Sequence, residues 1–489
     1  MYFNFILLSI LSSLIFGTKL PDRWERANPE ALLTSYPTSN PLDIDNFVFI
    51  DNGIIKLGVD TNRGGAIGYL SLSKDNSSYT NTHDFGRLVQ GSFYSGPVPY
   101  DPQQCNDPSW SNWPWNPIGG GDAFGNPAKV LSINKTSATS MEILTIPYQW
   151  ACNDVPCECT FRQEITLIDN AAEVRLTLNN NRTDIPPGAL YSSTQELPAI
   201  YIIGQFCNLY TYNGTAPFTS QEPGQLPTLW PWGSFSPSEH WMAYSNGTDL
   251  DNSISVGVWT PFFNHAGAGR YFSNITENCV GGPYDDPVGY IAPWISEILD
   301  SKISYQYNFS LIVDTVRNIQ QYATIKHNNN LDESLEPNYY YGKSTLYPMN
   351  TRAHCTFSGQ LRDGGWPIPD DGLIFPITNY TMSDMVLGPL SLWDANNVPI
   401  LYLNVSYSVS TTLAIVFQIE GSGNFCPTCQ VTVPVTASSS FQIIAVNLSS
   451  NNEYTGHIVR IGYVPTIKPT NNDNDTVQLR SISYIKPQL

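Results

Sequence analysis

Between Asn81 and Pro97 the chain reads NTHDFGRLVQGSFYSGP, a dense run of polar and aromatic side chains in a protein that carries only 13% charged residues. His83-Asp84-Phe85-Gly86-Arg87 places a base, an acid and a bidentate donor within five residues, the types that proton transfer and oxyanion or hydroxyl binding require. On a strand His83 and Phe85 would face one way and Asp84 the other, so an Asp84–Arg87 pair locking a turn at Gly86 is the structural alternative. A second candidate is Gln195-Glu196-Leu197-Pro198, flanked by Tyr191 and Tyr201, where a carboxylate at a strand end could act as a general base or bind sugar hydroxyls. Glu239-His240-Trp241 and His265 add titratable groups from a set of only six histidines, although a lone histidine is more often a hydrogen-bonded structural residue. Paired carboxylates for glycoside hydrolysis need a defined separation, so Glu164, Glu196, Glu239 and Asp122 are nominees without geometry. Zinc-type His-x-x-x-His spacing, a serine nucleophile elbow and a phosphate-binding loop are all absent. No metal or cofactor is therefore expected, with a structural calcium left open.

Nine of the twelve tryptophans fall between Trp110 and Trp294, and Trp113-Pro114-Trp115 and Trp230-Pro231-Trp232 set rings beside proline. Proline stiffens the loop that carries the ring, and a stiff ring can lie on the C–H face of a sugar at low entropic cost. Packing in the core is the alternative for each.

Charge and cysteine usage narrow the class. A net charge of −19 repels phosphate backbones and anionic surfaces, which disfavours nucleic acid and leaves neutral glycans unpenalised. Residues 1–17 are apolar and uncharged and read as a secretory signal; no later stretch is long and apolar enough for a membrane span. The expected location is secreted and extracellular. Nine cysteines fit a disulfide set in an oxidising compartment. Cys152, Cys157 and Cys159 crowd one segment, so at least one should reach a distant partner, and the odd count leaves one unpaired within the chain. Cys426-Pro-Thr-Cys429 reads as a structural loop disulfide, against a redox motif or half a zinc site. Eleven sequons, at Asn76, Asn134, Asn181, Asn213, Asn246, Asn274, Asn308, Asn379, Asn404, Asn447 and Asn474, predict a glycoprotein.

The elements that must position these residues are strands. Phe161 to Leu167, Glu173 to Leu178 and Ser304 to Leu311 alternate or carry β-branched residues, as antiparallel strands with one buried face do. A short helix is expected near Thr315 to Ala323, with Val316, Ile319 and Tyr322 on one face. The polar run from Lys326 to Ser334 reads as a linker, and further strands follow at Leu401 to Tyr407, Thr412 to Ile419, Phe441 to Val446 and His457 to Tyr463. The expected organisation is a signal at 1–17, a lead-in at 18–44, a β domain at 45–325, a linker at 326–345 and a β-sandwich at 346–489. Upstream, Gly64-Gly65 leads into an apolar run, as a strand needs where another backbone or a ligand comes close.

A chain of short signatures carries a resemblance. Gly64-Gly65-Ala66-Ile67, His83 to Arg87, Ser92 to Pro97, Trp115-Asn116-Pro117-Ile118, Gly121 to Asn126, Cys159-Thr160-Phe161, Gln195 to Ala199, Gly257-Val258-Trp259-Thr260-Pro261 and Gly289 to Pro293 occur in order. Over roughly residues 45 to 315 the chain resembles galactose-mutarotase-like β-supersandwich proteins, within them a group of uncharacterised secreted proteins. Gly364-Gly365-Trp366, Asp371-Gly372-Leu373 and Tyr454 to Ile461 make the C-terminal part similar to jelly-roll modules of carbohydrate-active proteins. The resemblance implies an all-β protein, a supersandwich followed by a jelly roll. Together with the residues above it leads to the expectation of a polysaccharide-binding protein, which, if it is an enzyme, cleaves or modifies that ligand as a hydrolase or lyase. For an enzyme, the expected cleft is lined by His83, Asp84, Arg87, Tyr94, Trp115, Gln195, Glu196, Trp259 and His265, with Glu196, His265 or His83 as acid or base and Arg87 anchoring the substrate. The competing expectation is a non-catalytic, self-associating protein of an extracellular coat.

Overall fold

Every second side chain of Cys159–Ile168 is buried, and the same holds through most of Ala171–Asn180 and Ile303–Asp314. Each apolar side chain turned inward this way stabilises by roughly 1.5–3 kcal/mol relative to exposure, while the alternate charged residues face water. The computed structural model describes residues 44–95, 105, 115–183, 193–227, 233–261, 263, 265–271, 279–299, 303–332, 337–340, 356–357, 372–377, 381–388, 390–422, 424–468 and 474–487. The expected signal and nearly all of the lead-in lie outside them, as do Trp113-Pro114, Trp230-Pro231-Trp232, Asn274, Asn379, Cys355, residues 341–345 of the expected linker and the Gly364 to Asp371 signature.

The chain is almost wholly antiparallel β. In its N-terminal part a ten-stranded sheet runs Phe47–Asp51, Ile55–Asp60, Ile67–Leu72, Val89–Ser92, Ser193–Ile203, Val288–Glu297, Ala266–Tyr271, Gly233–Phe235, with Pro117–Ile118 and Tyr148–Gln149 attached beside it. A nine-stranded sheet faces it, centred on Ser255–Trp259, Ile303–Asp314, Ala171–Asn180 and Cys159–Ile168. One apolar core fills the space between them. There Phe93 meets Phe161, Tyr305 and Tyr307 at ring separations of 5.3, 6.2 and 6.1 Å.

The glycine pair serves a close backbone approach. Gly64 and Gly65 have φ of +61° and +69°, and a β-carbon on Gly64 would sit 1.9 Å from the Gly119 carbonyl oxygen. No other residue fits both demands.

The helix is longer than its apolar face predicts, running from Val316 to Asp332. Val316, Ile319 and Ala323 bury against Trp241, Ala243 and Ile312 of the nine-stranded sheet. The helix continues into the polar run at 326–332, where the buried His327 meets Glu420 of the C-terminal part. By Asn338–Tyr340 the chain already pairs with Thr476–Ser483 of the C-terminal part, within the stretch expected as linker. That part stacks a five-stranded and a six-stranded sheet around a second core, with Ile400–Tyr407, Thr411–Ile419, Ser438–Asn447 and His457–Val464 at the positions the alternation predicts.

Among the described residues four disulfides form, Cys105–Cys152, Cys157–Cys159, Cys207–Cys279 and Cys426–Cys429. Cys152 is thus the member of the crowded segment that reaches a distant partner, and the Cys426–Cys429 pair closes its own loop.

Candidate active site

Glu196 lies mid-sheet. Its strand, Ser193–Ile203, runs between Val89–Ser92 and Val288–Glu297, and the register sets Glu196 opposite Ser92 on one side and Trp294 on the other. Immediately beyond, the register slips on both sides before Ala199 and Ile200, an irregularity of the kind that re-aims side chains in a sheet. Only 7% of Glu196 is exposed, and an ionisable group so buried needs partners. It has them: the Tyr94 phenol donates to Oε2 at 3.0 Å and the Tyr290 phenol donates to Oε1. Ser92 Oγ donates to the Tyr94 hydroxyl at 3.1 Å, and Trp294 Nε1 donates to the Tyr290 hydroxyl at 3.4 Å.

Gln195 secures the same tyrosine from its backbone. Its Oε1 accepts the Tyr94 N–H at 2.8 Å and its Nε2 donates to the Tyr94 carbonyl at 2.7 Å. Tyr201 and Tyr271 complete an aromatic wall, with ring centroids 5.2 and 6.2 Å from Tyr290. The His265 ring lies 5.5 Å from that of Trp294. Gly267 leaves room for this indole, since a β-carbon there would stand 2.0 Å from it.

Burial pushes the Glu196 carboxyl above the usual carboxylate range, against the opposing pull of hydrogen bonds from Tyr290, Ser92 and Tyr94. No cation contributes among the described residues. Tyr94 and Tyr290 are driven well above the ordinary phenol value by burial and then by the Glu196 charge, so both remain protonated donors. Burial lowers His265, which keeps its imidazole neutral at neutral pH. The assembly is a carboxyl able to give or take a proton, backed by hydroxyl donors and walled by rings. No group of three His, Cys, Asp or Glu suited to a metal ion occurs among the described residues.

The remaining sequence candidates separate from this cluster. Arg87 Nε pairs with Asp84 at 3.1 Å, while its terminal nitrogens reach Asp286 Oδ1 at 3.0 Å and the Asp286 carbonyl at 2.8 Å. His83 bonds the Tyr284 carbonyl at 2.9 Å and lies 3.3 Å from the Asp286 carboxylate. Together they clamp residues 81–87 onto residues 282–286. That clamp ends two residues before Val288–Glu297, whereas Glu196 pairs at Trp294, about 20 Å along the strand at ~3.3 Å per residue. Trp115 packs in the core, with the Arg182 guanidinium 4.6 Å from its ring. Trp259 belongs to the other sheet and to the cluster beneath the helix. Glu239 is fully buried and accepts from Phe218 N, Trp241 Nε1 and Gln320 Nε2. Asp122 holds the backbone N–H groups of Phe124, Asn126 and Asp154, and Glu164 pairs with Arg162 and Arg175 on an outer face.

Tyr290, Trp294 and Ser92 were not singled out from sequence as site residues. Their signal is the two-residue period of Tyr290, Ala292 and Trp294, which puts all three on one face of a strand. Of the sequons, Asn76, Asn134, Asn181, Asn213, Asn246, Asn308, Asn447 and Asn474 are exposed. Asn404 corrects the expectation: it is 7% exposed within Ile400–Tyr407, between two strands, so a glycan cannot be accommodated there in the folded protein.

No protein-family model and no curated protein matches the chain. Among solved structures it is similar to a galactose mutarotase-like protein from Lactobacillus casei, at 12% identity and a TM-score of 0.33, covering 55% of this chain and 99% of that one. It is also similar to a galactose mutarotase related enzyme from Lactobacillus acidophilus, at 13% identity and a TM-score of 0.30, covering 55% and 98%. These likenesses assign no activity, substrate or partner to this chain.

Proposed function

We propose that this protein is an exported glycoprotein that binds a neutral glycan over Glu196 and uses that carboxyl as acid or base to cleave or modify it. The observation that carries this reading is the placement of a buried, cation-free carboxyl between the phenols of Tyr94 and Tyr290, beside Trp294 and the neutral imidazole of His265. Protonated, Glu196 can donate to a glycosidic or ring oxygen; ionised, it can accept from a sugar hydroxyl while the two phenols stabilise its charge. Tyr201 and Tyr271, the partly exposed rings of the wall, offer apolar surface for sugar C–H groups. Four disulfides and eight exposed sequons support the exported setting.

The test is a neutral-glycan array followed, for each glycan bound, by an assay of new reducing ends and by mass and NMR comparison of the glycan before and after incubation. Binding by the native protein, with product that disappears in Glu196→Gln, is the expected result. Absence of binding to every neutral glycan, together with self-association on gel filtration, would replace this reading with that of a coat protein.

A further inference from the structure

The main-chain ladder between Val89–Ser92 and Ser193–Ile203 ends at the Ser92–Glu196 pair. Beyond it, the chain at 92–95 takes backbone partners on its other side, Ser92 pairing with Ile118 and Ser95 with Trp115. Tyr94 is buried, so its own N–H and carbonyl need partners toward the Glu196 strand. The Gln195 side chain supplies them. Its Oε1 accepts the Tyr94 N–H at 2.8 Å, while its Nε2 donates to the Tyr94 carbonyl at 2.7 Å and to the Ser193 carbonyl at 3.0 Å.

These three bonds fix the amide. Turning it over would set its NH2 against an N–H and its oxygen against two carbonyls, so a single orientation survives. Gln195 is fully buried, and it pairs with Ile295, which packs against the main core. Glu196, the next residue, pairs with Trp294 of the aromatic cluster. Successive side chains of a strand leave opposite faces, so Tyr94 is held from both. Gln195 holds its backbone on the core face, and Glu196 accepts from its phenol at 3.0 Å on the other.

We propose that Gln195 is a positioning residue, fixing the Tyr94 backbone so that the phenol stays within hydrogen-bonding reach of Glu196. The proposal rests on the reading of Glu196 as acid or base. It gives Gln195 a role other than sugar contact, because all three bonds of its amide go to backbone groups and it acts through Tyr94. The Tyr94 phenol is one of the donors that hold the Glu196 carboxyl down against burial, so a displaced phenol should raise that carboxyl further. The titratable groups within range of Glu196 are the phenols of Tyr94, Tyr290, Tyr271 and Tyr201, that of Tyr307 from the facing sheet, and the imidazole of His265 beside Trp294. Apart from Tyr94 they are common to every variant below, so their contribution cancels in the comparison.

The test is a double-mutant cycle read from the Glu196 carboxyl carbon, by NMR titration of the full chain labelled at glutamate, with the signal assigned by its absence in Glu196→Gln. No glycan is needed, so this proposal and the reading it rests on can fail separately. Gln195→Met, neutral and of similar length, should raise the proton affinity of Glu196 roughly tenfold, the scale of one hydrogen bond to a charged group, and Tyr94→Phe should do the same. In the Tyr94→Phe background, Gln195→Met should move the midpoint no further. Gln195→Asn, whose amide is one methylene short of Tyr94, takes its place if Gln195→Met does not fold. An unmoved midpoint in a folded Gln195 variant would overturn the proposal, as would a shift of equal size with and without the Tyr94 phenol. Failure of both Gln195 variants to fold, while Tyr94→Phe folds, would make the residue purely structural and overturn it too.

Discussion

The Tyr94 phenol donates to Glu196 Oε2 at 3.0 Å, joining residues 102 positions apart in the chain. This bond opposes burial, which raises the Glu196 carboxyl. Tyr94→Phe removes the donor and should therefore move the acidic limb of any glycan-modifying activity to higher pH. A limb that stays in place in the variant would show that Glu196 is not the titrating group.

The same carboxyl has a consequence for folding. Because its folded-state value is raised above the unfolded one, the native protein holds that proton more tightly, and stability falls as pH rises through the raised value. Glu196→Gln lacks this dependence. Its stability relative to the native protein should improve between about pH 4 and about pH 8, as read from urea midpoints, even as activity is lost. An equal difference at both ends of the range would contradict the assignment.

Arg87→Ala should act on the fold first. It leaves Asp84, itself 6% exposed, without its ion-pair partner, a loss of about 3 kcal/mol or more. Chemical denaturation should show that loss, while glycan affinity per folded molecule changes little. Affinity abolished in a variant of native stability would return Arg87 to the role of substrate anchor expected from the sequence.

Gly267→Ala tests the aromatic wall. The added β-carbon would displace the Trp294 indole from beside Tyr290 and His265, at a cost of about 1–3 kcal/mol from overpacking. Glycan binding should weaken by more than the loss of folded protein accounts for. Binding that simply tracks the folded fraction would exclude Trp294 from the site.

Expressed through a eukaryotic secretory pathway, the protein should carry glycans at several of the eight exposed sequons and none at Asn404, which lies between two strands with its Oδ1 buried. Peptide mass mapping after enzymatic deglycosylation decides the point, and an occupied Asn404 would mean that modification precedes folding of the C-terminal sandwich.

The sequence by itself determined the strands and their buried faces. Alternation in Cys159–Ile168 or Ile400–Tyr407 is a local property that any pleated strand must convert into an inner and an outer side. It also determined the need for glycine at positions 64 and 65. Tertiary structure alone decided which polar residues meet. His83, Asp84 and Arg87 are neighbours in sequence; His83 and Arg87 bond to residues 284 to 286 while Asp84 holds Arg87, making a clamp. Glu196 meets Tyr94 and Tyr290 only because strand register places Ser92 and Trp294 on either side of it. His327 and His457 likewise share Glu420 only once the two β parts come together. Backbone alternation acts over two residues, whereas register and packing act over a hundred, and the carboxyl's shifted pKa follows from burial that only the assembled sheets create.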